Sequence, residues 1–181
     1  MSIVRANTLS TNSGSGTLSI PASNILNTVD YDYAIQTVSK TFYDATTTTA
    51  SQAYVIPTNG TLAITSRLAN SLFYVTVTAA MYSEGTSGLN LGISRTISGS
   101  TTRLLGTDGA SGDTWMGGAN GAATTGQSYN VERNFLDSPA QPVGTVITYN
   151  MLFSRWTAGT AHLNYSIFTL GSTITVMELS P

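Results

Sequence analysis

Side chains able to do chemistry are few in this sequence, and they are scattered. His162 is the sole histidine. In the run TAHLNYSIF it shares a strand face with Asn164 and Ser166, the setting of a polar or interface histidine rather than of a general base. Count alone does not exclude a three-residue metal site or a Ser-His-Asp triad, but no spacing supports one. A ring of histidines would arise only if copies of the chain met around a threefold axis. Asp108 and Asp113 in TDGASGD lack the ligand spacing of a calcium loop and read as a turn. Asp30 and Asp32 fall on one face just ahead of the first strand, where edge charges discourage pairing. No pair of carboxylates suggests glycoside hydrolysis, and neither a phosphate loop nor a GxSxG elbow occurs. The sequence therefore predicts no catalytic residue, no cofactor and no metal ligand, and a protein that is not an enzyme.

Aromatic residues offer a second kind of chemistry. Trp115 lies in the Gly-rich stretch 106–127, between GD and GG. A tryptophan placed so either pins its loop or contacts a ligand or partner. Tyr82, Tyr129 and Trp156 would add surface on which a sugar can stack, with core packing as the plain alternative for each. Trp115 and Tyr129 are the candidate ligand or partner contacts, and a carbohydrate-binding β-sandwich is the function class they would serve.

The elements that must position these residues are strands. Charged residues make up only 9% of the 181 residues, against about 25% in an ordinary soluble domain. Thr and Ser are the commonest residues and supply the polar surface instead, while Gly feeds the turns. The stretch 70–82 alternates, with Phe73, Val75, Val77 and Ala79 as its core face. A hairpin is expected at Asn59-Gly60 and another at Gly99-Ser100. The pattern gives eight or nine strands and no helix, hence an all-β sandwich or jelly roll. In GSTITVMELSP, Ile174 and Val176 take one face of the last strand, and Thr175, Met177 and Leu179 the other. Apolar groups on both faces predict cover on both sides.

Seven basic residues, scattered singly, and a net charge of −2 argue against nucleic acid as a partner. The absence of cysteine removes disulfides and thiolate metal sites. No run approaches the roughly 18 apolar residues of a membrane-spanning helix, so membrane insertion is not expected. The start, MSIVRANTLSTNS, has no apolar signal core, which suggests a protein made in a cytoplasm.

Residues 1–28 differ from 29–181. They are rich in Ser, Gly and Asn around short apolar islands, and too sparse in apolar groups to fold alone. We read them as an N-terminal anchoring arm that orders on a partner, with Ile3, Val4, Leu18 and Ile20 making the contact. Fully extended, such an arm spans roughly 90 Å. Residues 29–181 form the β-domain.

Two stretches carry a resemblance. STITVMELSP resembles the terminal strand of small virion proteins of tailed bacteriophages, and VRANTLSTNSGSGTLSIPAS resembles the N-terminal arm of phage fibre and head-appendage proteins. The resemblance covers the two ends and the Thr/Ser/Gly-rich texture. It implies a jelly-roll-like protomer in a homotrimer, located on the virion and attached to a capsid or tail protein through the arm. The lack of a shaft or coiled coil favours a capsid decoration, or cement, protein. The alternative is a tail-fibre or receptor-binding module that contacts host surface glycans.

Overall fold

Period-two alternation becomes ten strands. The computed structural model describes residues 34–49, 54–84, 89–106, 127–155, 160–165 and 171–181, with backbone alone for 83, 84 and 127–129. All of them fall within the unit Asp32–Pro181. The strands are β1 (Ala34–Phe42), β2 (Thr46–Thr48), β3 (Thr61–Thr65), β4 (Leu72–Glu84), β5 (Leu89–Ile97), β6 (Ser100–Leu105), β7 (Gln127–Asp137), β8 (Val146–Arg155), β9 (Thr160–Leu163) and β10 (Ser172–Leu179). Every pairing is antiparallel. One sheet runs β1-β10-β4-β9-β2, with β7 also on β4; the other runs β3-β8-β5-β6.

The first sheet is simpler than its strand count. β10 pairs with Leu72–Thr78 of β4, and β9 pairs with Met81–Glu84, so the two lie end to end along one edge of β4. β7 occupies the other edge. β1 lies outside β10 and β2 outside β9, again end to end. Counted this way, among the described residues four lines of strand make each sheet, eight lines in total.

The two sheets share one core. Phe73, Val75, Val77 and Ala79 of β4 are all buried, as their spacing predicts. Ile174 and Val176 from β10 join them, facing Ile93 from β5 and Ile147, Tyr149, Met151 and Phe153 from β8. Each fully buried side chain of this size stabilises the fold by about 1.5–3 kcal/mol.

Two turns differ from the sequence expectation. The β5–β6 hairpin turns at Ser98-Gly99, one residue earlier than Gly99-Ser100. Both residues have positive φ (49° and 80°), as a two-residue type I′ turn demands. Asn59 does adopt the left-handed conformation, and Gly60 N–H donates to Pro57 O (2.8 Å). Yet the chain does not reverse there. Val55 pairs with Phe153 and Thr61 with Asn150, so both flanks run the same way along β8. The turn is a detour within one line, not a hairpin.

Candidate functional site

The break in the first sheet is organised by one side chain. Asn164 follows β9 with φ 51°, which Asn tolerates better than most residues, and it is 3% exposed. Its Nδ2 donates to Phe42 O (3.0 Å) and to Asp44 O (3.3 Å). Its Oδ1 accepts from Ser172 Oγ (2.7 Å), and its N–H donates to Ala80 O (2.8 Å). Ser172 Oγ in turn accepts from Ala80 N–H (3.2 Å). The backbone groups that an unbroken ladder would pair are thereby paired across three strands. The break opens residues 43–45 between β1 and β2, beside the turn at 57–60.

A second anchor holds the last strand. Glu178 is fully buried in β10, on the same face as Ile174 and Val176. Its carboxylate accepts from Ser71 Oγ (2.7 Å), Arg67 N–H (2.8 Å), Leu68 N–H (3.1 Å) and Gln36 Nε2. Gln36 Nε2 also donates to Thr65 O (2.7 Å). Burial pushes the Glu178 pKa up, but the hydrogen bonds from Ser71, Arg67, Gln36 and Leu68 outweigh it and hold the carboxyl below its usual value. The last strand is thus tied to the corner where the chain crosses from β3 to β4. Glu178 was missed in the sequence; its even spacing from Ile174 and Val176 was the available signal.

A third polar group spans the sheets. Arg95 Nη1 of β5 meets Asp137 Oδ1 of β7 at 2.6 Å, and Tyr149 OH of β8 donates to Asp137 Oδ2 at 2.7 Å. Burial raises the Tyr149 pKa, aided by the hydrogen bond and charge of Asp137, so the phenol stays protonated. Tyr149 is fully buried against Phe73, with ring centroids 6.1 Å apart. The cluster pins β7 to the opposite sheet and offers no reacting atom to a substrate.

The outward face of the first sheet is the broad feature. Its centre is a hydroxyl lattice: Ser39 and Thr175 are linked at 2.8 Å, Thr41 and Thr173 at 3.0 Å, with Thr76 and Thr78 alongside on β4. At one end lie Tyr74, Leu136, Met177 and Leu179. Tyr74 and Leu136 are 38% and 53% exposed, and Met177 and Leu179 are half-buried. At the other end Tyr82 stacks on Tyr165 (4.5 Å, 2°), and His162 lies 4.6 Å from Tyr165 and accepts or donates at Thr47 Oγ1 (3.1 Å). Among the described outward residues of β1, β10, β4 and β7 the one charged side chain is Glu132. The last strand, expected to be covered on both faces, is fully buried on one and half-buried on the other within the single chain.

Of the predicted site residues, Ile3, Val4, Leu18, Ile20 and Trp115 lie outside the described residues, as do Trp156 and the four aspartates at 30, 32, 108 and 113. Tyr129 falls in β7 opposite Met81, with its side chain outside the description. Among the described residues no group of three or more His, Cys, Asp or Glu could hold a metal.

No protein-family model matches the chain, and no curated protein does. Among solved structures the chain is similar to the infectious bursal disease virus VP2 subviral particle, with TM-score 0.39 and 13% identity, over 82% of this chain and 40% of that one. It is similar to the Gx strain of the same virus with TM-score 0.37 and 12% identity, over 80% and 38%. The T=1 particles derived from that virus give TM-score 0.32 and 16% identity, over 90% and 41%. The chain spans about 40% of the length of these proteins. A likeness this loose fixes neither family nor function.

Proposed function

We propose that the chain is a non-enzymatic structural protein of a tailed-phage virion: a homotrimeric, jelly-roll-like module held on the particle by residues 1–28, as a capsid decoration protein. What supports the jelly roll is the strand order. Taking β1/β2 and β9/β10 as one line each, the first line pairs with the eighth, the second with the seventh, the third with the sixth and the fourth with the fifth. A ribbon folded over on itself in this way into two sheets is the pairing expected of a jelly roll, as in capsid and lectin domains, and supports that reading. The fold serves many functions, so the surface must decide among them.

The observation that carries assembly is the outward face of the first sheet. Glu132 is the one charged side chain among the described outward residues, so few ions need be desolvated when a second copy approaches this face. Four strand lines at about 4.8 Å and the length of β4 give roughly 800 Å² in plan, the share one partner contributes to a standard interface. Met177 and Leu179 would complete their burial there. The arm residues Ile3, Val4, Leu18 and Ile20 then remain for the particle, where three linked arms bind with avidity.

Deleting residues 2–28 tests the division of labour. The truncated protein is expected to fold and trimerise but to be absent from particles seen by electron microscopy. Wild-type occupancy without the arm would place attachment on the β-domain and overturn the assignment.

A further inference from the structure

The strand break leaves a cleft of about 490 Å³, lined by Lys40, Thr41, Phe42, Tyr43, Asp44 and Asn59. That falls within the range of about 300–1,000 Å³ found for small-molecule sites. Its walls are fixed before any ligand arrives. Asn59 Nδ2 donates to Asp44 Oδ2 (2.8 Å), and Thr58 N–H donates to Thr46 Oγ1 (3.1 Å), so the 57–60 turn is tied to the break itself and to the start of β2. Asn164 holds the carbonyls of Phe42 and Asp44 from behind. Tyr43 is 68% exposed, the largest exposure among the described large hydrophobic side chains, yet its ring is seated. Its Cδ1–Cε1 edge rests on Gly171, where an added Cβ would come within 2.7 Å of Cε1. A glycine here lets an aromatic ring lie against the sheet edge with much of its surface in water.

We propose that this cleft is a saccharide-binding site that takes one neutral pyranose ring carrying neighbouring free hydroxyls. The chemistry is of three kinds. The C–H face of a pyranose is apolar and packs on an aromatic ring, which costs the seated Tyr43 little side-chain freedom. The Asp44 carboxylate accepts from two adjacent hydroxyls; its Oδ1 is left for the sugar while Oδ2 holds Asn59. Asn59 keeps one amide hydrogen and its oxygen for a third contact, and the Lys40 ammonium, 3.4 Å from Thr61 O, has donors to spare. A carboxylate, an amide and a fixed ring at one open cleft suit a polyol with an apolar face. They suit a lone anion poorly, since the Asp44 charge offsets that of Lys40 in the same cleft. The inference rests on the cleft and not on the particle assignment, so it stands or falls separately from the imaging experiment.

An open site gripping one sugar ring has a dissociation constant on the order of 1 mM. The test is a titration of the full chain, followed by amide NMR, with the methyl glycosides of glucose, galactose, mannose and N-acetylglucosamine up to roughly 50 mM, well above that constant. At least one is expected to give saturable shifts confined to residues 41–44 and 58–60. Tyr43→Ala, Gly171→Ala and Asn59→Gly should each weaken that binding about tenfold or more. Asn59→Gly keeps the left-handed turn and removes the amide together with its bond to Asp44; an unchanged melting temperature and unchanged amide shifts outside 41–46 and 57–60 would show that its loss of binding is not a loss of fold. No saturable shift with any of the four, or shifts that survive Tyr43→Ala and Asn59→Gly, overturns the proposal. So does a Tyr43→Ala variant whose subunit association changes while its sugar response does not, because Tyr43 is then a contact between copies.

Discussion

Glu178 and Asn164 do more for the fold than their residue types suggest. Removing the Glu178 side chain takes the acceptor from the part-buried N–H groups of Arg67 and Leu68 and leaves buried Ser71 Oγ only Leu68 O (3.2 Å), so Glu178→Ala should cost about 1–3 kcal/mol in denaturant unfolding. The lowered pKa adds a pH signature. A carboxyl depressed in the folded state contributes fully above its unfolded value of about 4.3, and that contribution is lost as pH falls through the folded value. The wild-type melting temperature should therefore drop on acidification below about pH 4, and Glu178→Gln should be less stable at neutral pH but flatter across that window. Equal acid slopes in the two proteins would show that another group controls acid stability. Asn164→Gly keeps the backbone conformation and loses three side-chain hydrogen bonds, at a cost of about 1–3 kcal/mol; Asn164→Ala adds left-handed strain and should cost more. An alanine variant as stable as the glycine variant would mean that the turn relaxes.

At the scale of elements, β10 lets folding be tested apart from the proposed assembly. Ile174 is buried in the core, so Ile174→Ala should cost about 2–5 kcal/mol whatever the protein concentration. Met177 faces outward and is half-buried in the single chain, so an aspartate there reaches water. Met177→Asp should give a folded protomer with a native circular dichroism spectrum and no stable trimer. Loss of the folded protomer itself would show that this face is closed by the chain alone. The core face of β4 was legible because apolar residues recur at every second position over a long strand. The Asn59-Gly60 detour was not, because a local turn signal reports φ at two residues and says nothing about which strand comes next. The break at Asn164 was hidden for a similar reason. An amide in a strand looks like an outward polar residue until the carbonyls of Phe42 and Asp44 are seen to depend on it. The saccharide cleft joins residues 43–44, 59 and 171, which no sequence window holds together. Trp115 and Tyr129 drew attention instead because their flanking residues are unusual locally.

For the whole molecule, the sparse charge and the neutral hydroxyl face belong to one economy of surface. A chain with 9% charged residues carries its surface polarity mainly on Thr and Ser, and can bury that surface against itself while stranding few ions. The His162–Tyr82–Tyr165 cluster would then be one edge of the contact and the Tyr74–Leu136–Met177 cluster the other. The most direct test of this account is sedimentation equilibrium of the full chain at micromolar concentration, beside Met177→Asp. The account predicts three chain masses for the wild type and one for the variant, each with a native fold. A wild-type protein that sediments as a monomer, or a Met177→Asp trimer indistinguishable from wild type, would contradict the claim that the outward face of the first sheet assembles this protein.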